Sequence, residues 1–177
     1  MKTYNFKTTL FEYFNQKATI QFPILENRIF RERLKINQPE YPYVILKSGE
    51  RTRINKRFEC FRIGNTENIR VQYRLAVTFG VHDLRKTPSD AERFSDELID
   101  YIEQFFINDR TTHVDLEARG IVVNELLCSG VRDMSQNATT SQEFIKEIDI
   151  VFEFEDIQTI TSELGQELET NIEPKDI

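Results

Sequence analysis

The sequence predicts an α+β fold: a mainly antiparallel or mixed β-sheet of four to five strands packed by two helices. Three patterns lead to this expectation. Ile69, Val71, Tyr73, Leu75, Val77, Phe79 and Val81 alternate with Arg70, Gln72, Arg74, Ala76 and Thr78, the period-2 signature of a strand with one buried face. Phe94, Leu98, Tyr101/Ile102 and Phe105 recur at helical spacing. Farther on, Phe144, Ile148, Ile150, Phe152 and Phe154 share one face of a strand while Glu147, Asp149, Glu153 and Glu155 take the other. Strands that close on an antiparallel pair, 121–131 with 144–155, and few helices make one sheet with helices on it.

In chain order, residues 3–16 predict a short helix with Phe6, Leu10, Phe11 and Phe14 on one side. Ile20 to Leu25, carrying Pro23, reads as a brief extended piece, and Ile29 to Ile36 alternates imperfectly as a strand. Pro39 and Pro42 push their preceding residues towards extended backbone, so Asn37 to Tyr43 is a turn-rich approach to the buried strand Tyr43-Val44-Ile45-Leu46, which Ser48-Gly49 ends. Residues 49–68 form a basic insertion, either a hairpin turning at Gly64-Asn65 onto the 69–81 strand or a long loop. Thr87-Pro88-Ser89-Asp90 supplies the start of a helix over 88–107: an oxygen to cap an orphan amide, a proline for the first position and an acid for the first turn. Asn108-Asp109 ends the periodicity and a polar linker leads to Gly120. A strand over 121–131 bends or bulges at Gly130, a polar flexible loop covers 134–141, and the last strand follows. Residues 1–160 thus make one domain, and 161–177 an acidic, partly mobile tail.

Fourteen Phe and six Tyr, with no Trp, supply the core, and 177 residues suffice to bury one. No apolar run approaches the roughly 20 residues of a membrane span. Met1-Lys2-Thr3 is followed by polar residues in place of an apolar segment, so no secretion signal is expected. Cys60 and Cys128 lack paired spacing and read as reduced thiols of a cytosolic protein.

The net charge of −7 is unevenly distributed: residues 28–86 hold 14 basic and 6 acidic groups, residues 87–154 hold 5 and 15. If the fold separates these halves, one subunit's positive side can meet the next one's negative side in head-to-tail assembly. If the fold mixes them, they cancel locally. Candidate interface residues are Arg51, Arg53, Lys56, Arg57 and Arg62 in the insertion, with Arg70, Arg74, Glu147, Asp149 and Glu153 on the strand faces. The insertion reads as a solvated loop, a protein-docking loop or, through aromatics between arginines, a nucleic-acid contact. The acidic balance of the whole chain opposes the last.

Catalytic inventory is thin. His82-Asp83 and His113-Val114-Asp115 could pair an imidazole with a carboxylate or begin a metal site, but such pairs arise readily by chance among 30 acidic groups. No phosphate loop is present, the Ser-Gly pairs lack the flanking glycine of a nucleophile elbow, and no cofactor is expected.

Asn37-Gln38-Pro39-Glu40-Tyr41-Pro42-Tyr43-Val44, the long alternating strand before a single helix, Arg119-Gly120-Ile121, Val131-Arg132-Asp133-Met134-Ser135 and Glu147-Ile148-Asp149-Ile150-Val151-Phe152 together resemble the tail terminator and neck proteins of tailed bacteriophages. The resemblance spans roughly residues 29–160 by order of elements; the 49–68 insertion and the acidic tail depart from it. It implies a structural virion protein, assembled in the host cytoplasm and located at the neck. Its copies would form a hexameric ring that caps the tail tube, ends polymerisation and receives the head through a head-completion, stopper or connector protein. Viral DNA would pass an acidic lumen without specific binding. The family has no active site, so no catalytic or metal-binding residue is implied. A head-completion protein, a tube subunit and a small enzyme using His82 or His113 remain the alternatives.

Overall fold

A computed structural model describes residues 3–31, 39–54, 59–63, 66–84, 88–137 and 142–160. The expected α+β class is what the chain adopts, with a mixed sheet. Helix α1 (Thr3–Gln21) leads through a 3₁₀ turn (Pro23–Leu25) into strands β1 (Ile29–Arg31), β2 (Tyr43–Ser48), β3 (Thr52–Arg53), β4 (Glu59–Ile63) and β5 (Thr66–Asp83). Helix α2 (Pro88–Glu103), a π-helical turn (Gln104–Asn108) and helix α3 (Arg110–Ala118) follow, then β6 (Val123–Asp133), β7 (Gln136–Asn137) and β8 (Gln142–Ile160).

The sheet runs β1-β2-β5-β8-β6, with β3 and β4 added to β5 and β7 added to β8. Among the described residues only β1 and β2 are parallel; the other pairs are antiparallel. Its spine is the β5–β8 ladder, unbroken from Glu67↔Ile160 to Asp83↔Phe144. Because side chains alternate, that register puts Tyr73 opposite Phe154, Leu75 opposite Phe152, Val77 opposite Ile150 and Phe79 opposite Ile148, all buried on one face. Against them lies the helical layer. Phe6 of α1 meets Phe152 and Phe154, Phe14 meets Phe79, Phe105 and Phe106, and Phe22 meets Phe94 and Tyr101. One aromatic-rich core therefore joins sheet and helices.

Several elements differ from the sequence expectation. Helix α1 continues past residue 16, since Ala18 stays on its buried side; the piece around Pro23 is a 3₁₀ turn, because proline's fixed φ suits a first helical position as well as an extended one. The 49–68 insertion is of the hairpin kind, with β4 antiparallel to β5 up to Ile63↔Thr66. Helix α2 ends in the π turn, closed by Asp109 N–H donating to the Gln104 carbonyl at 2.9 Å, which leaves both Phe105 and Phe106 buried. The expected polar linker is instead α3, capped by Asp109, whose Oδ1 accepts from Thr111 N–H at 2.9 Å. Within the expected loop at 134–141, Gln136 and Asn137 are strand residues paired to Glu143 and Gln142. Gly130 has φ +96° where the β6–β8 register shifts between Cys128 and Val131, the bulge its sequence predicts. Residues 32–36, the Gly64-Asn65 turn, the Thr87 cap, residues 138–141 and the 161–177 tail lie outside the described residues. Among the described residues no helix is long and apolar enough to cross a membrane.

Candidate functional site

The face of the sheet opposite the helices carries the charged half of the alternation. Here β5, rich in arginine, lies beside β8, rich in acid, and the ladder makes them partners. Arg74 binds Glu153, directly across the strand pair, and Arg70 reaches Glu155 at 3.4 Å, where Gln72 also donates at 3.2 Å. Thr78 donates to Asp149 at 2.5 Å. From the flanking strands, Lys47 of β2 reaches Glu147 at 2.9 Å and Arg132 of β6 meets Glu147 at 3.3 Å and Asp149 at 2.6 Å. Hydrogen bonding from Lys47 holds the Glu147 carboxyl below its usual value, and Arg132 does the same for Asp149.

Five of the residues expected at an interface, Arg70, Arg74, Glu147, Asp149 and Glu153, are thus brought together on one face, bound within the chain. The charge division along the sequence is not a division in space on this face, because the basic strand and the acidic strand are neighbours. Arg51, Arg53 and Arg62 sit apart, at the β3–β4 edge. The Arg51 guanidinium lies 3.9 Å from the Tyr73 ring centroid, Arg53 is exposed, and Arg62 pairs with Glu67 at 3.0 Å. Lys56 and Arg57 lie outside the described residues.

The two histidines are each held locally. His82, on the open face, stacks on Tyr43 with ring centroids 4.6 Å apart and 9° between planes, and its Nδ1 donates to Glu143 at 3.3 Å. Tyr41 donates to the same carboxylate at 3.1 Å, and burial together with that carboxylate pushes the Tyr41 hydroxyl up. Burial lowers the His82 pKa, opposed by Glu143. His113 donates from Nε2 to the Phe106 carbonyl at 2.8 Å, in the π turn. Among the described residues no cluster of three or more His, Cys, Asp and Glu is placed to hold a metal ion.

Sequence reasoning missed one surface. Between α3 and β6 a cavity of about 110 Å³ is lined by Leu116, Ile121, Val122, Val123 and Leu126, with His113 and Glu117 also contributing. Along it and down β6 run exposed apolar side chains: Val114, Val122, Leu127, Val131 and Met134 are 57%, 55%, 41%, 48% and 53% exposed. Among the described residues β6 pairs only with β8, so this strand is an edge. A strand over 121–131 was legible, but edge position is a property of strand order, which no local pattern encodes. No protein-family model matches the chain, and no curated protein matches it.

Proposed function

We propose that this chain is a structural virion protein of the tail-terminator kind: one subunit of a closed hexameric ring that caps the tail tube, stops its growth and presents the surface for head docking. The observation that carries the reading is where the resembling segments fall. Pro42-Tyr43-Val44 leads into β2, Arg119-Gly120-Ile121 turns α3 towards β6, Val131 to Ser135 ends β6, and Glu147 to Phe152 is the middle of β8. These segments lie in or beside one sheet backed by helices, although two helices, α2 and α3, follow the long strand where the resemblance implies one. A two-layer plate in which β6, among the described residues, pairs only with β8 suits packing side by side around a ring. The ring's other partners would be the tube protein and a head-completion, stopper or connector protein, and DNA would cross its lumen without specific contacts.

Purified protein mixed with purified tail tubes and viewed by electron microscopy tests this. A ring at one tube end, with tubes no longer elongating, is expected. Spontaneous growth into long cylinders would identify a tube subunit, and binding to heads alone a head-completion protein. Assembly that survives replacement of both His82 and His113 by Ala would remove the enzyme alternative. A monomer that binds neither tubes nor heads contradicts the proposal.

A further inference from the structure

Among the described residues β6 pairs only with β8, so the far side of this 11-residue strand is an open edge. It carries no proline and no lysine, residues that ordinarily deter an edge from pairing. The register with β8 fixes which way its side chains face. Val123, Leu126, Cys128 and Val131 lie opposite Phe154, Phe152, Ile150 and Ile148, on the helix side of the sheet, whereas Glu125 and Leu127 lie opposite Glu153 and Val151, on the open face. Two irregularities interrupt the strand. One extra residue lies between Val123 and Glu125 and another between Cys128 and Val131, where Gly130 has φ +96°. All these features are symmetric about Leu127. Leu126 and Cys128 flank it, Val123 and Val131 stand on either side beyond them, and a bulge falls in each interval. Such a strand is complementary to itself read in reverse.

We infer that the occupant of this edge is β6 of a second copy, antiparallel to the first about a two-fold axis through Leu127. In that register Leu127 faces Leu127 of the second copy, Leu126 faces its Cys128 and Val123 faces its Val131, so apolar meets apolar on each side of the sheet. Glu125 faces Ser129 and Asn124 faces Gly130, so no like charges are opposed, and the bulges coincide instead of throwing the faces out of step. Leu127 and Val131, exposed in the single chain, become covered. Pairing of this length with its side chains covers on the order of 500 Å² per copy, the lower limit for a specific interface, so the contact is weak and concentration-dependent. Apolar burial supplies most of the attraction, and the strand's outer backbone groups set its direction. The contact is isologous: it closes at two copies and joins their sheets into one. It goes beyond the ring reading, because a two-fold contact that occupies β6 leaves this edge closed to a neighbour in a ring. The pair is the unassembled form, and it parts at β6 before a ring closes.

Sedimentation equilibrium of the full chain over a wide range of concentration reads out the contact. A monomer–dimer equilibrium that stops at two copies is expected. Position 127 meets itself across the axis, so Leu127→Lys and Leu127→Glu each oppose like charges, and each should weaken dimerisation at least about tenfold. Mixed together they should recover it as a heterodimer, because lysine then faces glutamate, the behaviour of a contact that is two-fold at this position. Circular dichroism melting of each variant separates a lost contact from a lost fold, and recovery on mixing excludes misfolding. A native chain that stays monomeric, growth beyond two copies, single variants that pair as the native chain does, or a mixture that fails to recover overturns the inference. Failure of the ring reading looks different. Dimers that form yet never yield rings on tubes leave this contact standing, whereas a chain that caps tubes but never dimerises removes it.

Discussion

His82 lies where three strands meet: its ring stacks on Tyr43 of β2, and its Nδ1 donates to Glu143 of β8. Lys47 and Glu147 also act on it, from β2 and β8, with opposite signs. Burial is the largest influence and favours the neutral ring, so the folded pKa lies below the unfolded value of 6.5. The unfolded chain then binds the proton more readily than the folded one, and stability must fall as pH drops below 6.5 towards the lowered native pKa. Urea midpoints measured from about pH 7.5 to 5.5 should decline for the native chain and decline less for His82→Phe, which keeps an aromatic ring against Tyr43. Equal slopes would show that the histidine does not titrate in this way. That His82 would sit beside a carboxylate was partly legible in His82-Asp83, but the partner is Glu143, sixty-one residues away. A sequence shows neighbours along the chain and hides those across a ladder.

At the scale of elements, two substitutions separate packing from backbone. Phe14 is fully buried against Phe79, Phe105 and Phe106, so Phe14→Ala should destabilise the fold by about 3–5 kcal/mol, the range for emptying an aromatic site in a core. Gly130 has open space around a would-be Cβ but φ +96°, so Gly130→Ala should lose only about 1–2 kcal/mol, through the backbone alone. Chemical unfolding would check both; a larger loss at Gly130 than at Phe14 would mean the bulge, not the aromatic layer, holds the sheet. Long strands and α2 were legible because their buried faces repeat many times. Helix α3 was not, since only Thr112 and Leu116 of its residues are buried and two positions make no period. Its start was nevertheless written in Asp109, a good capping residue that the reading as a linker passed over. The π turn was illegible for another reason. Adjacent Phe105 and Phe106 fit a helix on paper, and only their shared burial calls for the wider turn.

For the whole molecule, the marked charge imbalance along the sequence has two fates. Where β5 runs beside β8, it becomes a ladder of internal pairs such as Arg74 with Glu153 and Arg70 with Glu155, which bind the sheet and leave little unbalanced charge on that face. At the β3–β4 edge it meets other partners: Arg62 pairs with Glu67 and the Arg51 guanidinium lies over the Tyr73 ring. Composition alone could not tell these apart, because both follow from strand order. Electron cryomicroscopy of the protein bound to tail tubes would be the most direct test of the assembly. The ring reading predicts six copies closed at the tube end. An image in which the copies are absent from the tube end, or in which they form no closed ring there, would contradict it.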